Sequence, residues 1–434
     1  MCSTNAATPL KGPNAPLPDT PDENPHYIRR VTEVGDSQEI IAHQDIYASN
    51  GMKLIAKGAL IDSRQFERLT RHKLSAPLDH MLTARQPVDS NCLALEVDKI
   101  VENDARYRQI AARTGDPLAL KHALVALRLP APILLRMTVM RERFPHLYSH
   151  SVHCAMLAYA MAQRLKLPAR ECSDLLLAAL CHDMGEMHTD PAVLANGHAI
   201  TPDERRFVHV HPVTAYVLVR DLPGFAPVAA QAILQHHERL DGSGYPSGLP
   251  AARIAPLAQV LAVADVAEAV IKRFAVARLD MLFRLNQARF APAVVLALRD
   301  LLSLNQEAQS EAPAIEGAMM QMSRLSTLLQ SWHTLRTTLQ NKSGAAAQSA
   351  DFLFERMGAI RSLVLQAGFD PDNMAAIMSI ADEDPAIARE LRGMLDEMDW
   401  LLDDLANEID RRSPELGSLS QEALRELLDQ LRGG

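Results

Sequence analysis

The sequence predicts a mainly α-helical protein with a small β-containing module near the N-terminus and a helical C-terminal extension. Three observations lead there. From about Leu95 onward, apolar residues recur at three- and four-residue spacing through one segment after another. Runs rich in β-branched residues occur only before that point, around Asn50-Gly51. Short turns built from Pro, Gly or Asp separate the helical segments, as in a bundle of consecutive helices. At 434 residues, 48% hydrophobic and 22% charged, the chain has ordinary globular composition. Its length suggests two or three domains at about 150 residues each.

In chain order, residues 1–30 are rich in Pro, Asn and Thr without periodicity and are expected to form a disordered leader. Residues 31–90 are expected to form a small α+β module. Asn50-Gly51 is a favoured two-residue hairpin turn, Gly58 marks a second turn, and Asp62 or Ser63 can cap a helix over SRQFERLTRHKL. Residues 91–300 read as a helical domain with a helical lead-in, ALEVDKIVENDARYRQIAARTG and PLALKHALVAL. It continues through HSVHCAMLAYAMAQRLKL, SDLLLAALCHD, PDERRFVHVHPVTAYVLV, APVAAQAILQHHE and LAQVLAVADVAEAVIK. Residues 301–434 are helical and acidic. Met322, Leu325, Leu329, Trp332, Leu335 and Leu339 make one stripe, Asn341–Ala350 a linker, and two further helices follow. Helix packing is the preferred reading of these stripes, and a homodimer is the other.

The composition excludes several functional classes. No apolar run nears the roughly 18 residues of a membrane span, so membrane insertion is not expected, and the N-terminus has no secretory pattern. The five cysteines are odd in number and form no C-x-x-C pair. That argues against a disulfide framework or a thiolate zinc knuckle and for a reducing cytoplasm. The net charge of −9 gives no basic footprint for DNA. From Asp370 to the end the balance is 17 acidic against 6 basic residues, so the acidity belongs to the C-terminal region.

Ten of the 16 histidines lie between His146 and His237. A single histidine on an apolar helix is usually a satisfied core residue, so spacing and company decide. His182-Asp183 ends the apolar run LLLAALC, where an imidazole and a carboxylate need partners; a polar pair facing water is the simplest reading of that dipeptide alone. His236-His237 ends VAAQAIL and runs into DGSGYP, Asp241–Pro246, a tight loop that by itself is an ordinary turn. Asp265 lies in the apolar pattern VLAVADVAEAV and needs a metal or a basic partner. With His150 and His211 this makes seven nitrogen and oxygen donors on five predicted helices. Such donors suit Fe, Mn, Zn, Co or Ni. Seven exceed what one ion takes from protein. Two ions sharing a carboxylate fit better, and such a pair serves phosphate-ester hydrolysis.

These residues, in this order, resemble the HD-GYP family, a branch of the HD metal-dependent phosphohydrolases. The matching segments are LYSHS, LCHDMG, VHVHP, ILQHHERLDGSGYPSG and VLAVADV, over about His146 to Lys272. The resemblance implies an all-helical HD-type metal-binding domain that hydrolyses cyclic di-GMP to pGpG and onward to GMP through a hydroxide between two divalent transition-metal ions, commonly Fe or Mn. It implies His150, His182, Asp183 and Asp265 at one ion, with Asp183 bridging to a second held by His211, His236 and His237. Asp241, Gly242, Gly244, Tyr245 and Pro246 would shape the loop beside the substrate.

The chain departs from the family pattern at three places. Where the family has HD-x-G-K, with a lysine near the scissile phosphate, this chain has Glu186, so Asp183 and Glu186 are the catalytic positions of the assignment. A unit charge at about 4 Å is worth roughly 4 kcal/mol at an effective dielectric near 20, so the reversal bears directly on substrate binding. Arg205, Arg206 or Arg239 are candidate compensating cations, or Glu186 turns away or binds metal. After Asp265 the chain reads VAEAVIKRF, with Glu268 in place of the usual acid and no following proline or tyrosine, which changes the expected phosphate and base contacts. His146 stands where some members bind a third metal through a glutamate; exposure to solvent is the preferred expectation. His153, His188, His198 and His209 are expected to be structural. The favoured function is a cyclic di-GMP phosphodiesterase. The alternatives are a catalytically impaired receptor or signalling scaffold for the dinucleotide, and a phosphohydrolase acting on another nucleotide.

Overall fold

A computed structural model of the chain describes residues 24–114, 116, 118–193, 201, 204, 208–273, 276–302, 318–340, 351–366, 379, 385–412 and 427–431. Most of the expected leader, Cys2, His198, Arg205, Arg206 and the linker 341–350 lie outside the described residues. The chain divides into two compact units, Met1–Arg273 with Ala288–Ser303, and Phe274–Gln287 with Leu304–Gly434.

The first unit opens with helix α1 (Pro25–Gly35), so residues 25–30, read from the sequence as the end of the leader, belong to the module. The signal is local. Asn24 Oδ1 accepts from the His26 and Tyr27 amides, and Pro25 takes the first helical position, where no amide hydrogen is needed. Strand β1 (Ile40–Ala42) pairs antiparallel with β4 (Leu82–Ala84), and β2 (Ile46–Tyr47) with β3 (Lys53–Ile55). The β2–β3 turn is at Asn50-Gly51, with Gly51 in the left-handed region at φ 84°. Asp62 caps a 3₁₀ turn, Ser63–Gln65, that leads into α2 (Phe66–Thr70). Gly35 lets α1 cross this segment, since a Cβ there would collide with the Ile61 carbonyl oxygen.

The helical lead-in is broken where one continuous helix was expected. Helix α3 (Ser90–Asn103) ends at Asp104, which adopts φ −113°, ψ 114° and caps α4 (Ala105–Arg113) by accepting from the Arg106 amide at 2.8 Å. Then come α5 (Ala119–Ala126), α6 (Ala131–Arg143), α7 (Pro145–Arg164), α8 (Ala169–Cys181), α9 (His211–Val219), α10 (Pro227–Gln235), α11 (Pro256–Arg273) and α13 (Pro292–Leu302). Helix α7 packs along α8 and α11, and α10 lies against α8, α9 and α11. The buried face of α7 over Cys154–Ala162 alternates alanines at 155, 158, 160 and 162 with Met156, Leu157, Tyr159 and Met161, small residues between large ones. Leu175, Leu176 and Leu180 of α8 are buried. Burying each such side chain is worth about 1.5–3 kcal/mol.

In the second unit, α12 (Val276–Leu285), α14 (Ala318–Gln340), α15 (Asp351–Gln366) and α16 (Pro385–Arg412) share one apolar core. Met281 and Leu285 of α12 belong to that core, so residues 274–287, on the near side of the expected boundary at 300, group with the C-terminal helices. Met322, Leu325, Leu329 and Trp332 of the expected stripe are buried there, whereas the side chains of Leu335 and Leu339 lie outside the described set. Among the described residues no helix is long and apolar enough to cross a membrane.

Candidate metal centre

The centre is built where three helix ends and two helix interiors meet. His182 and Asp183 follow α8, His211 starts α9, and His236 and His237 follow α10. His150 lies within α7 and Asp265 within α11. All seven side chains expected from the sequence come together. Asp183 is at the middle. Its Oδ2 is 3.4 Å from His150 Nε2 and 3.1 Å from His182 Nε2, and its Oδ1 is 3.2 Å from His211 Nε2 and 3.5 Å from His236 Nε2. Asp265 closes the other side, with Oδ1 3.2 Å from His150 Nε2 and Oδ2 3.7 Å from His237 Nδ1.

Hydrogen bonding behind the rings fixes which nitrogen faces inward. His182 Nδ1 donates to the Ala179 carbonyl at 2.8 Å, His211 Nδ1 to Val208 at 2.7 Å and His236 Nδ1 to Ile233 at 2.6 Å. For His182 and His236 these are carbonyls at the C-terminal ends of α8 and α10, which lack intrahelical partners. His150 sits inside α7, where the carbonyls one turn back are taken by the helix. Its Nδ1 instead donates to the Glu268 carboxylate on α11 at 2.5 Å. All four Nε2 lone pairs therefore point at the centre. Two pairs of them face each other at 3.3 Å, His150 with His182 and His211 with His236. Facing lone pairs repel unless a cation or a proton lies between them. The donor set, two nitrogen pairs on opposite sides of one shared carboxylate, fits two divalent ions, and these groups could hold them.

Burial and the neighbouring carboxylates act on these groups in opposite directions. Burial pulls His150 down, but its bonds to Asp265 and Glu268 and the charge of Asp183 outweigh this and raise it well above the usual imidazole value. Against the same burial penalty, Asp183 raises His182 and pushes His211 up to about 9. Burial keeps His236 low despite Asp183, and burial with the neighbouring charges of His236, His211 and Arg239 holds His237 well below its ordinary value. Asp183 is held well below the carboxylate range, because His182, His211 and His236 outweigh its burial. Burial and the charge of Asp183 push Glu186 up to about 7, so this carboxylate lies close enough to the centre to feel it.

The 3₁₀ turn Met184–His188 carries Glu186 out of Asp183. Gly185 is obligatory there, since a Cβ would lie 2.1 Å from the His211 carbonyl oxygen. The loop after α10 is equally tight. A Cβ on Gly244 would meet the Glu238 Cα and Arg239 N at 2.4 Å and the His237 oxygen at 2.5 Å, and Gly242 has φ 77°. Asp241 accepts from the Ser243 amide and hydroxyl, so this expected substrate contact also shapes the loop. Glu238 accepts from the Ser247 and Leu249 amides, and the Tyr245–Pro246 bond is cis. Tyr245 stacks on His237 at 4.5 Å between ring centroids, and its other stacking partner is His209 at 4.2 Å.

Four positions carry more than the sequence reading gave them. Glu268, read as a departure from the family pattern, orients His150. Cys154, one turn beyond His150 on α7, is buried and places its sulfur within 4.8 Å of ligand atoms of His150 and His182. Its i+4 spacing from His150 was the available signal. His209, expected to be structural, stacks on Tyr245. Arg239, a candidate substrate cation, is a buried clamp that donates to the His236 and Glu238 carbonyls and lies over the Phe290 ring. His146 is exposed, and His153 donates to the Ser149 carbonyl at 2.7 Å against the edge of Tyr107.

Residues 134–281 match the family model described as HD domain. A cyclic di-GMP phosphodiesterase of Pseudomonas aeruginosa is 34% identical over 137 residues, 32% of this chain and 33% of that protein. A cyclic di-GMP phosphodiesterase response regulator of Xanthomonas campestris is 28% identical over 230 residues, 48% of this chain and 61% of that one. A 3'3'-cGAMP-specific phosphodiesterase of Vibrio cholerae is 31% identical over 137 residues, 32% of each chain. The alignments thus span between a third and three-fifths of these relatives. With its paired histidines arranged about Asp183, the chain carries an HD domain at residues 134–281.

Proposed function

We propose that this protein is a metal-dependent phosphodiesterase acting on cyclic di-GMP in the cytoplasm, opening the ring to pGpG and continuing to GMP. The carrying observation is the position of Asp183, one oxygen toward His150 and His182 and the other toward His211 and His236. The relatives named for cyclic dinucleotide hydrolysis support the substrate class. Fe or Mn suits the nitrogen and oxygen donors.

His150, His182, Asp183 and Asp265 would hold one ion, and Asp183, His211, His236 and His237 the other. Bound there, such ions make a water nucleophilic at neutral pH and draw charge from phosphoryl oxygens. The chain's own contribution is preorganisation. The backbone carbonyls and Glu268 hold the rings in the tautomer that presents Nε2. The Asp241–Pro246 loop, pinned by Glu238, sets Tyr245 beside His237, so the reacting phosphate approaches past a fixed wall.

Glu186 favours a second reading, a receptor that binds the dinucleotide and turns it over poorly. Burial and the charge of Asp183 push its carboxyl up to about 7, so near neutral pH this position offers a phosphodiester a half-ionised acid in place of a cation. Purified protein loaded with Fe(II) or Mn(II) is expected to release pGpG from cyclic di-GMP. Glu186→Lys is expected to change kcat/KM by less than about tenfold if the natural protein is an efficient enzyme, one tenfold step being about 1.4 kcal/mol of barrier. A much larger gain, from a natural protein that binds without turnover, establishes the receptor. A panel including cGAMP separates hydrolysis of another cyclic dinucleotide.

A further inference from the structure

Outside the metal centre, the described residues contain a buried ionic cluster that joins the N-terminal module to the turn that follows Asp183. Asp79 comes from the module, Arg136 from α6 and His188 from the end of the Met184–His188 turn, with 2%, 2% and 8% of their surfaces exposed. Asp79 and Arg136 form an ion pair. Arg136 also contacts His188 Nε2 at 2.9 Å. A guanidinium can only donate, so Nε2 accepts and the ring is neutral with its proton on Nδ1. Tyr27 of α1 completes the cluster. Its ring stacks on His188 at 4.8 Å, its hydroxyl donates to Asp79 at 2.8 Å, and the Arg136 guanidinium lies 4.5 Å above its face. Asn24, the cap of α1, donates from Nδ2 to the His188 carbonyl at 2.8 Å.

The turn between cluster and centre is stiff. Glu186 N donates to the Asp183 carbonyl and Thr189 N to the Glu186 carbonyl, both at 2.9 Å, and Gly185 is wedged against His211. One end of the five-residue turn is thus fixed by the module, and Asp183 immediately precedes the other. From this we infer that the N-terminal module is a positioning element of the centre: through Asp79, Arg136 and Tyr27 it holds His188, and through His188 it sets the bridging carboxylate. Burial of an ion pair alone would explain neither the stacking of Tyr27 on His188 nor the bond from the helix cap to its carbonyl.

The inference rests on the metal reading of the centre, so its test has two arms. In the first, Mn(II) alone is titrated into the metal-stripped full chain. His188→Leu and Asp79→Asn are expected to bind Mn(II) at least about tenfold more weakly, as for loss of a partner behind a ligand. His188→Gln, which keeps an acceptor for Arg136, is expected to recover binding to within about threefold, and Tyr27→Phe, which removes one hydroxyl, to lose about threefold. In the second arm, amide hydrogen exchange at Met184–Thr189 is expected to accelerate in the same order without metal. Folded variants with wild-type Mn(II) affinity and wild-type exchange overturn the inference. If His188→Leu and Asp79→Asn do not fold, Tyr27→Phe unchanged in both arms overturns it equally. A wild-type protein that binds no Mn(II) defeats the metal reading instead, and the exchange arm then decides the inference by itself.

Discussion

Glu268→Ala should weaken metal binding without unfolding the protein. Among the four histidines whose Nε2 faces the centre, His150 has a side chain rather than a backbone carbonyl as its Nδ1 acceptor, at 2.5 Å. The other three keep their acceptors in any side-chain variant. His150 sits inside α7, so the deletion leaves its N–H without a replacement in a site where Glu268 is 3% exposed. A hydrogen bond to a charged group is worth about 1.5–3 kcal/mol. At about 1.4 kcal/mol per decade this is a loss of roughly 10- to 150-fold in affinity, in line with the about 10- to 100-fold typical of partners behind metal ligands. Glu268→Gln retains an acceptor and loses the charge, so about a threefold to tenfold loss is expected. The assay is Mn(II) binding to metal-stripped protein, by competition with a chelator, with helical content from circular dichroism on the same samples. A folded Glu268→Ala protein with wild-type affinity refutes the assignment of Glu268 as the residue that orients His150.

The pH dependence has a definite sign. His211, pushed up to about 9, and His150 and His182, raised in the same direction, stabilise the metal-free fold fully below the unfolded imidazole value and lose that contribution as pH rises through their folded values. His236 and His237 are lowered, hence neutral in both states above pH 7, and do not oppose this. Metal binding must displace the protons, so its affinity rises over the same window. The melting temperature of the Mn(II) form should therefore pull away from that of the metal-free form between pH 7 and 9; a constant or shrinking gap contradicts the assignment. Gly244→Ala places a Cβ 2.4 Å from two backbone atoms, at a cost of about 1–3 kcal/mol. Turnover should fall at least about tenfold as Tyr245 is displaced from His237, more than in Gly242→Ala, where the strain is that of a left-handed residue, about 1–2 kcal/mol.

The helices and the ligand set were legible because both rest on local patterns. Apolar spacing marks α7, α8, α10 and α11, and each ligand sits at the end of such a run or interrupts one, where its cost requires a partner. What stayed hidden was mostly non-local. Glu268 serves a histidine 118 residues away, and Arg136 meets His188 across 52, separations that no periodicity encodes. Two misses were local and readable in hindsight. Asp104 caps α4 and so breaks the helix expected through it, and Asn24-Pro25 is a capping signal that starts α1 inside the supposed leader. Glu186 was conspicuous as a departure, while its half-buried position within reach of the Asp183 charge required the fold.

In the proposed function, two divalent ions joined by Asp183 make this domain a cyclic di-GMP hydrolase. Metal content and turnover measured on one sample test it most directly. Two Fe or Mn ions per chain with conversion of cyclic di-GMP to pGpG, both lost in Asp183→Asn, are the expected result. Less than one ion per chain after loading with Fe(II) or Mn(II), with the dinucleotide left intact, contradicts it.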